Sequence, residues 1–285
     1  EIKSQIKKTF LGEPNKVILA TYKTSFDKIA NKLKTKKFNW MACDDSEAQA
    51  DVAMFAKEIK KFAVVYNVKA DSKFVANVTN PTVTEVGGNV IDTVKYLPRI
   101  AGAIAGLPYS MSMTGYTFTD LEDVELPEKI EEGAFILNME DDGIKVASAV
   151  NSLTTLTENM SESDKKICVV EAQVRIEEDK KTTFLSSYKG KFKNFYDNQM
   201  LWIAAVIAFY KELASMSILD PNYNNTTEID VEAQRNAWIA KGKSEAETWD
   251  DLTVKNNTIG DMIYEKSDIK ILDAIEGIQN RIVLM

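Results

Sequence analysis

Short apolar runs alternate with helical patterns along the first 70 residues, and this alternation constrains the fold more than any other feature. The run Lys16-Val-Ile-Leu-Ala-Thr-Tyr22 is apolar and β-branched, which predicts a buried strand. Ser46 is the predicted N-cap of a helix. The predicted order is a strand at 16–22, a helix at 25–34, a strand at 38–43, a helix at 46–60 and a strand at 62–68. This βαβαβ order indicates a parallel sheet covered by helices.

The rest of the chain divides into two differently patterned stretches. A helix is predicted at 89–106, and a hairpin at 134–150 around the turn Asp141-Asp-Gly143. The composition turns polar near residue 158, where we place a domain boundary. Beyond it the sequence predicts long helices at 162–187 and 195–217, a loop at 220–227 and a strand at 268–285. The predicted fold class is α/β, with a mixed-sheet α/β domain at 1–157 and an α+β domain at 158–285 that carries two long helices and a terminal strand arm.

Two features of the sequence indicate absent residues. The chain begins at Glu1 without a methionine, so we expect an N-terminal segment before it. The Lys61 to Phe62 junction passes from helix to strand without a turn residue, although such loops usually take about two to six residues. We therefore expect that residues are missing near Lys61. No basic segment followed by an apolar one opens the chain, which predicts no secretion signal and synthesis inside the cell.

Composition argues against several classes of binding protein. The formal net charge is −8, whereas nucleic-acid binding requires a concentrated basic surface. Cys43 and Cys168 lie far apart in unlike contexts, so they form no redox pair and no cysteine metal cluster, and both are predicted to be small buried apolar residues. The longest apolar stretch, Met200 to Tyr210, is far shorter than the about 20 residues that cross a bilayer. It predicts a buried helix and no membrane insertion.

The chain contains no histidine, which removes most familiar catalytic arrangements. Ser-His-Asp and Cys-His triads, imidazole general bases and histidine-bound zinc are all impossible in this sequence. Only chemistry based on carboxylates, lysine, tyrosine or a phosphate-binding loop remains.

The glycine and aspartate motifs that resemble ligand sites lack the residues those sites need. Gly102-Ala-Ile-Ala-Gly106 is followed by Leu and Pro where a phosphate-binding loop has Lys and Ser or Thr, so close helix packing is the better interpretation. Asp220-Pro-Asn222 lacks the glycine and the distal glutamate of a calcium loop, which favours a surface turn. The pairs Asp44-Asp45, Asp141-Asp142 and Asp250-Asp251 are typical of turns and helix caps. We therefore predict no metal site and no cofactor.

Two charged stretches allow two interpretations. Lys32, Lys34, Lys36 and Lys37 form a lysine run, and residues 120–132 form an acidic stretch. Such runs usually form solvated surface. They are also suited to act as complementary patches between identical subunits, because opposite charges set register and partner choice at interfaces.

Five segments, in order along nearly the whole chain, resemble the contractile tail sheath family of phages and phage-tail-like bacteriocins. The first is Arg99 to Pro108 with Ser112-Met-Thr114, similar to the "AGxxAGxP…S.T" segment of that family. The others are Val146 to Thr155, Tyr188-Lys-Gly190-Lys, Asp230 to Arg235 and Ile269 to Glu276. After Glu276 the family usually continues with an acidic residue and an alternating strand, whereas here Gly277-Ile-Gln-Asn-Arg281 intervenes.

The resemblance implies a structural protein that polymerises helically around a tail tube and contracts without nucleotide hydrolysis. It implies four kinds of partner: neighbouring copies of the chain, a tail tube protein, baseplate proteins and a tail terminator protein. It places the chain in a bacteriophage virion tail or a phage-tail-like particle, made in the bacterial cytoplasm, with no direct contact to nucleic acid. In this family, arms from each terminus add strands to neighbouring subunits.

The resemblance also indicates which residues carry assembly. The predicted linking arm spans residues 272–285, with these contact residues: Leu272, Asp273, Ala274, Ile275, Glu276, Gly277, Ile278, Ile282, Val283, Leu284 and Met285. Two other hypotheses stay open. One is an α/β enzyme that uses carboxylates or lysine in a deep polar cleft at the carboxyl ends of its strands. The other is a scaffold or adhesin domain that does not contract.

Overall fold

The computed structural model describes residues 2–158 and 160–282. Among these residues, internal contacts group 2–171 with 273–282 into one compact unit and 172–272 into a second. The domain boundary that the sequence predicts near residue 158 differs from this division and stays a prediction. The two groupings differ because Ile167 belongs to the first unit's core and Glu171 bonds to Trp40 of the same unit.

A six-stranded mixed sheet forms the centre of the first unit. Its strands are β1 (Trp40–Ala42), β2 (Phe62–Tyr66), β3 (Val75–Val78), β6 (Thr117–Phe118), β8 (Ala134–Glu140) and β9 (Gly143–Ser148). Their order is β1-β2-β3-β8-β9-β6. The first four strands in this order are parallel, β9 is antiparallel to β8, and β6 is antiparallel to β9. A second sheet has the order β5-β4-β7, formed by β4 (Thr82–Glu85), β5 (Asn89–Asp92) and β7 (Leu121–Val124).

The predicted helix and strands between residues 38 and 68 are confirmed. A single 3₁₀ turn leads into α3 (Gln49–Ile59), which connects the parallel strands β1 and β2. This helix packs on β2. Ser46 is not the N-cap: Asp45 caps the 3₁₀ turn, because its side chain accepts a hydrogen bond from the backbone N–H of Glu47 at 3.0 Å. Lys60 adopts a left-handed conformation (φ 53°), which reverses the chain directly into β2. The short Lys61 junction therefore makes its turn without extra residues.

One predicted element is wrong, and another is shorter than predicted. Residues 16–22 form no strand, and Leu19 is 54% exposed, because no neighbouring strand lies beside this run in the described chain. The helix predicted over 89–106 begins only at residue 97, since Gly87 and Gly88 take positive φ and turn the chain back into β5. The helix before β1 is α2 (Asp27–Leu33), inside the predicted 25–34 range.

Close helix packing explains the glycines at 102 and 106. The helix α4 (Leu97–Gly106) packs against α1 (Ile2–Phe10) and the turn that follows α1. A Cβ atom at Gly102 would overlap the carbonyl oxygen of Thr9, and one at Gly106 would overlap the carbonyl oxygen of Gly12. The predicted packing role of these two glycines is confirmed.

The second unit combines helices with a two-stranded sheet. Its helices are α5 (Ile167–Thr183), from residue 172 onward and continued by a π-helical turn at Phe184–Tyr188, α6 (Tyr196–Ser215), α7 (Val231–Ala240) and α8 (Asp251–Asn256). Strands β10 (Thr226–Ile229) and β11 (Glu265–Asp268) pair antiparallel. Glu265 accepts hydrogen bonds from Lys180 at 2.7 Å and from the Trp202 indole at 2.6 Å, which fastens β11 to α5 and α6.

The end of the described chain differs from its predicted secondary structure. The predicted loop at 220–227 runs into β10 at its last two residues. The terminal strand predicted over 268–285 lies earlier, at β11, and is followed by a single bridge between Ile271 and Leu219. Residues 272–282 have no regular secondary structure, because no strand among the described residues lies beside them. Leu284, which also supports the predicted strand, lies outside the described residues.

Candidate functional site

The predicted linking arm, residues 272–285, is the C-terminal segment of the chain, and the structure describes it as far as Ile282. Its first residue continues the contacts of the second unit, because the Leu272 N–H donates to the carbonyl oxygen of Ile218 at 3.0 Å. Residues from Asp273 onward group with the first unit, and the contacts with it are made by Asp273 to Glu276.

Asp273 lies beside a partly buried thiol. The Cys168 Sγ donates to Asp273 Oδ1 at 3.7 Å, and the backbone N–H of Ala274 donates to the same oxygen at 2.8 Å. Burial, together with the negative charge of Asp273, raises the pKa of the Cys168 thiol to about 11. This thiol therefore stays protonated at neutral pH, and the C-terminal segment is part of what shields it.

Glu276 makes the most extensive side-chain contacts of the segment. Its Oε1 accepts hydrogen bonds from the Ser112 hydroxyl at 2.6 Å and from the Thr114 hydroxyl at 2.9 Å. Its Oε2 forms an ion pair with Lys166 Nζ. Only 17% of the Glu276 side chain is exposed. We call Glu276 with Ser112, Thr114 and Lys166 the Glu276 anchor.

Local backbone structure positions the three partners of Glu276. The Ser112 hydroxyl accepts from the Thr114 N–H at 3.1 Å, and the Thr114 hydroxyl accepts from the Ala149 N–H at 3.0 Å. Lys166 immediately precedes α5 and forms an antiparallel bridge with Val150. Thr114 and Lys166 are thereby both bonded to the residues that directly follow β9.

The electrostatics of the anchor favour the charged forms of its ion pair. Partial burial acts to raise the pKa of Glu276, but the bonds from Lys166, Ser112 and Thr114 outweigh it and hold the pKa below its usual range. Burial likewise acts to lower the pKa of Lys166, and the bond to Glu276 outweighs it and raises that pKa. Both groups are therefore ionised across the neutral pH range.

The contacts of the segment stop after Glu276. Within the described part of the chain, no hydrogen bond or ion pair joins residues 277–282 to the remainder, and no atom lies within 4 Å of a Cβ built on Gly277. Ile278 is 92% exposed, Ile282 75% and Ile275, just before the anchored glutamate, 97%. Exposed isoleucines this close together are typical of a surface that a partner covers. Val283, Leu284 and Met285 lie outside the described residues.

Sequence reasoning identified the C-terminal segment but missed its partners. Ser112 and Thr114 belong to one family-like segment and Glu276 to another, and 164 residues separate Ser112 from Glu276. Lys166 lies in none of the five family-like segments. No local pattern marks these contacts, and the only signal in the sequence is that both segments resemble the same family.

The cavity lined by Asp71 lies away from the strand ends at which α/β enzymes bind ligands. It has a volume of about 380 Å³ and lies at the amino ends of β3 and β8, whereas those enzymes bind ligands at the carboxyl ends of their strands. Asp71 lines this cavity and accepts from the backbone N–H groups of Thr154 and Thr155 at 2.8 and 3.0 Å, which lower its pKa. The Asp71 carboxylate thus has a structural role, because it accepts hydrogen bonds from the backbone.

The other predicted ligand-like motifs have structural roles. Asp250 caps α8, and Asp220 accepts from the Asn222 N–H in a surface turn, as predicted. Among residues 2–158 and 160–282, no group of three or more acidic or cysteine side chains is arranged to hold a metal ion. In the same residues, no helix is long and apolar enough to span a membrane.

The two charged stretches have partners within the chain. Lys34 of the lysine run pairs with Glu58. In the acidic stretch, Glu131 pairs with Lys69, and Lys165 pairs with Glu132 at 2.9 Å. These contacts leave both interpretations of the stretches open.

Comparison with known proteins relates the sequence to one family. No family model matches the sequence. A tail sheath protein of Clostridium phage phiCD119 is 30% identical over 305 aligned residues, which cover 98% of this chain and 84% of that protein.

Two solved structures with this fold are sheath proteins by their names. The structure of a sheath tail protein from Desulfitobacterium hafniense superposes with a TM-score of 0.63 at 21% identity, over 76% of this chain and 55% of that one. The contracted sheath complex of an extracellular contractile injection system superposes with a TM-score of 0.69 at 12% identity, over 99% of this chain and 80% of that one. The chain thus spans little more than half the length of the Desulfitobacterium protein. The predicted mixed α/β fold class is confirmed.

Proposed function

The chain belongs to the tail sheath protein family, and we propose that it polymerises with copies of itself into a helical sheath around a tail tube. Contraction of this sheath drives the tube through a target envelope. The work comes from repacking of subunits and not from nucleotide hydrolysis, in keeping with the packing role of Gly102 and Gly106. The protein acts as a structural subunit and not as an enzyme.

The observation that carries the proposal is the C-terminal segment. Beyond Glu276 its described residues make no hydrogen bonds within the chain and expose Ile278 and Ile282. Addition of such a segment to a sheet edge of a neighbouring copy satisfies its backbone groups and buries its isoleucines. A strand that stays paired while its root bends lets a polymer change shape without coming apart.

The partners follow from this role. They are neighbouring sheath subunits, the tail tube protein inside the sheath, and the baseplate and tail terminator proteins at its two ends. The particle is a phage tail or a phage-tail-like bacteriocin, with the subunit made in the bacterial cytoplasm.

Electron microscopy of a truncated chain tests the proposal. Negative-stain images of the concentrated full chain should contain striated tubes or rings. A variant that lacks residues 272–285 should keep the circular dichroism spectrum of the full chain, because the cores of both units lie outside the deleted residues. It should nevertheless stay monomeric in sedimentation. Normal tubes from the truncated variant would refute the role of the segment, and no ordered assembly from the full chain would refute the sheath.

A further inference from the structure

The contacts of the C-terminal segment change abruptly between residues 276 and 277. Glu276 has three side-chain partners on the first unit, and its side chain is 17% exposed. Gly277 has no atom near the place of a side chain, and Ile278 is 92% exposed. A change this sharp separates a held part of the segment from a free part.

The held part is fixed by bonds that are strong for a protein surface. Charge-assisted hydrogen bonds are roughly twice as strong as neutral ones, and Glu276 accepts three donors at once. Its partners come from two separate stretches of the first unit, so they define the direction in which the chain leaves. Gly277 follows directly, and glycine is the residue with the greatest backbone freedom.

We propose that Glu276 fixes the C-terminal segment to its own subunit, and that the part that reaches a neighbouring copy begins at Gly277. This proposal rests on the proposed sheath function. The linking arm is then residues 277–285, shorter than the 272–285 that the sequence indicates, and Gly277 is its hinge. Glu276, Ser112, Thr114 and Lys166 are positioning residues for assembly, because they hold the root of the arm where a neighbour finds it.

The anchor matters for assembly because a free root makes docking less favourable. Each residue that becomes ordered only on docking costs conformational entropy. Release of residues 273–276 therefore makes the free energy of docking of the whole arm less favourable. A longer flexible tether also lowers the effective concentration of the arm at its target. Loss of the anchor should therefore raise the protein concentration needed for polymerisation.

Cys168 provides a chemical reporter of the anchored state in dilute, unassembled protein. In the full chain its thiol donates to Asp273 and is partly shielded, which raises its pKa to about 11. In Glu276→Gln the ion pair with Lys166 is lost and the bonds from Ser112 and Thr114 are no longer charge-assisted, so the segment is held less tightly and thiolate formation at Cys168 becomes easier. Alkylation of Cys168 by iodoacetamide, measured by peptide mass spectrometry, should accelerate by about tenfold or more. Cys43 lies elsewhere, beside Tyr22, and is the internal reference.

Matched variants separate the anchor from the arm. A chain that lacks residues 277–285 keeps the anchor, so its Cys168 should react at the full-chain rate while polymerisation is lost. Glu247→Gln removes an exposed carboxylate that makes no described contact and should match the full chain in both assays. Glu276→Gln should raise the critical concentration for polymerisation, measured by light scattering, by about tenfold.

The outcomes distinguish this proposal from the sheath function itself. An unchanged Cys168 rate in Glu276→Gln would overturn the anchor, whether or not the full chain polymerises. Faster alkylation with an unchanged critical concentration would overturn its role in positioning the arm. Normal polymers from the chain without residues 277–285 would overturn the placement of the hinge. Failure of the full chain to polymerise would refute the proposed function, and the alkylation rates would still decide the anchor.

Discussion

A buried glutamate in the first unit should make stability depend on pH in an unusual direction. Glu171 on α5 is 8% exposed, and its Oε1 accepts a hydrogen bond from the Trp40 indole N–H at 2.7 Å. Burial raises the pKa of Glu171 to about 7, and the bond from Trp40 offsets only part of that effect. An unfolded chain would titrate this carboxyl near its ordinary value of about 4.3.

The sign of the effect follows from proton binding. Between the unfolded and folded pKa values the folded chain holds a proton that the unfolded chain has lost, so stability falls as pH rises. The contribution is fully present below about pH 4 and is lost as pH rises through about 7. At 1.36 kcal/mol per pKa unit the loss is about 4 kcal/mol. Glu171→Gln still accepts from Trp40 and carries no charge, so it should be more stable than the native chain by about 4 kcal/mol at pH 8.5 and by only about 1 kcal/mol at pH 5.

Urea unfolding at pH 5, 7 and 8.5, followed by circular dichroism and extrapolated to water, measures the difference between the two chains. Glu247→Gln, which removes an exposed carboxylate, controls for the change in net charge. Trp40 fluorescence should titrate near pH 7 in the native chain and not in Glu171→Gln. If the stability difference between native chain and Glu171→Gln stays constant from pH 5 to pH 8.5, the assignment of a buried, neutral Glu171 is wrong.

Two further substitutions test the packing of the first unit. Gly106→Ala places a methyl group on the carbonyl oxygen of Gly12 and should cost about 1–3 kcal/mol of unfolding free energy, whereas Gly277→Ala meets no atom and should leave the melting temperature unchanged. Asn80→Ala removes bonds of 2.8 and 2.9 Å to the backbone N–H and C=O of Leu137. It should cost about 2–4 kcal/mol because buried backbone groups are left unpaired, and an unfolding midpoint in urea equal to that of the native chain would contradict this.

The local elements that the sequence predicted correctly are those whose signals are complete in a short stretch. The α3 helix has its apolar face within 11 residues, and Phe62 to Tyr66 is an uninterrupted apolar strand that needs no partner to be recognised. The turn at Asp141-Asp-Gly143 likewise fixed the β8–β9 hairpin, because a glycine with positive φ (131°) is needed there.

The errors arose where the outcome depends on a neighbour. Residues 16–22 have the composition of a buried strand, but a strand forms only beside another, and the described chain gives this run no partner. Over residues 89–92 the apolar spacing suited a helix, but the antiparallel pairing of Asn89 with Glu85 across the Gly87-Gly88 turn prevailed. Tertiary pairing in both cases outweighed local preference.

The sequence selects the candidate segment, and its role in assembly stays a prediction, whereas the contacts of that segment within the chain could not be predicted. Resemblance to a family selected the segment from Leu272 onward, and the structure shows that Glu276 is the last of its described residues with side-chain partners. Contacts with Ser112 and Lys166 depend on how distant parts of the chain fold together, which no spacing rule gives. The proposed partner of the exposed isoleucines after Gly277 is a second copy of the chain, which one sequence cannot display.

A helical reconstruction of the polymer formed by the full chain, at a resolution that traces the main chain, tests the central claim most directly. We expect a tube of stacked subunits in which residues up to Glu276 stay on their own subunit and residues after Gly277 pair as a strand with a neighbouring copy. A chain that forms no regular polymer, or a polymer in which residues 277–285 fold back onto their own subunit, would contradict the account.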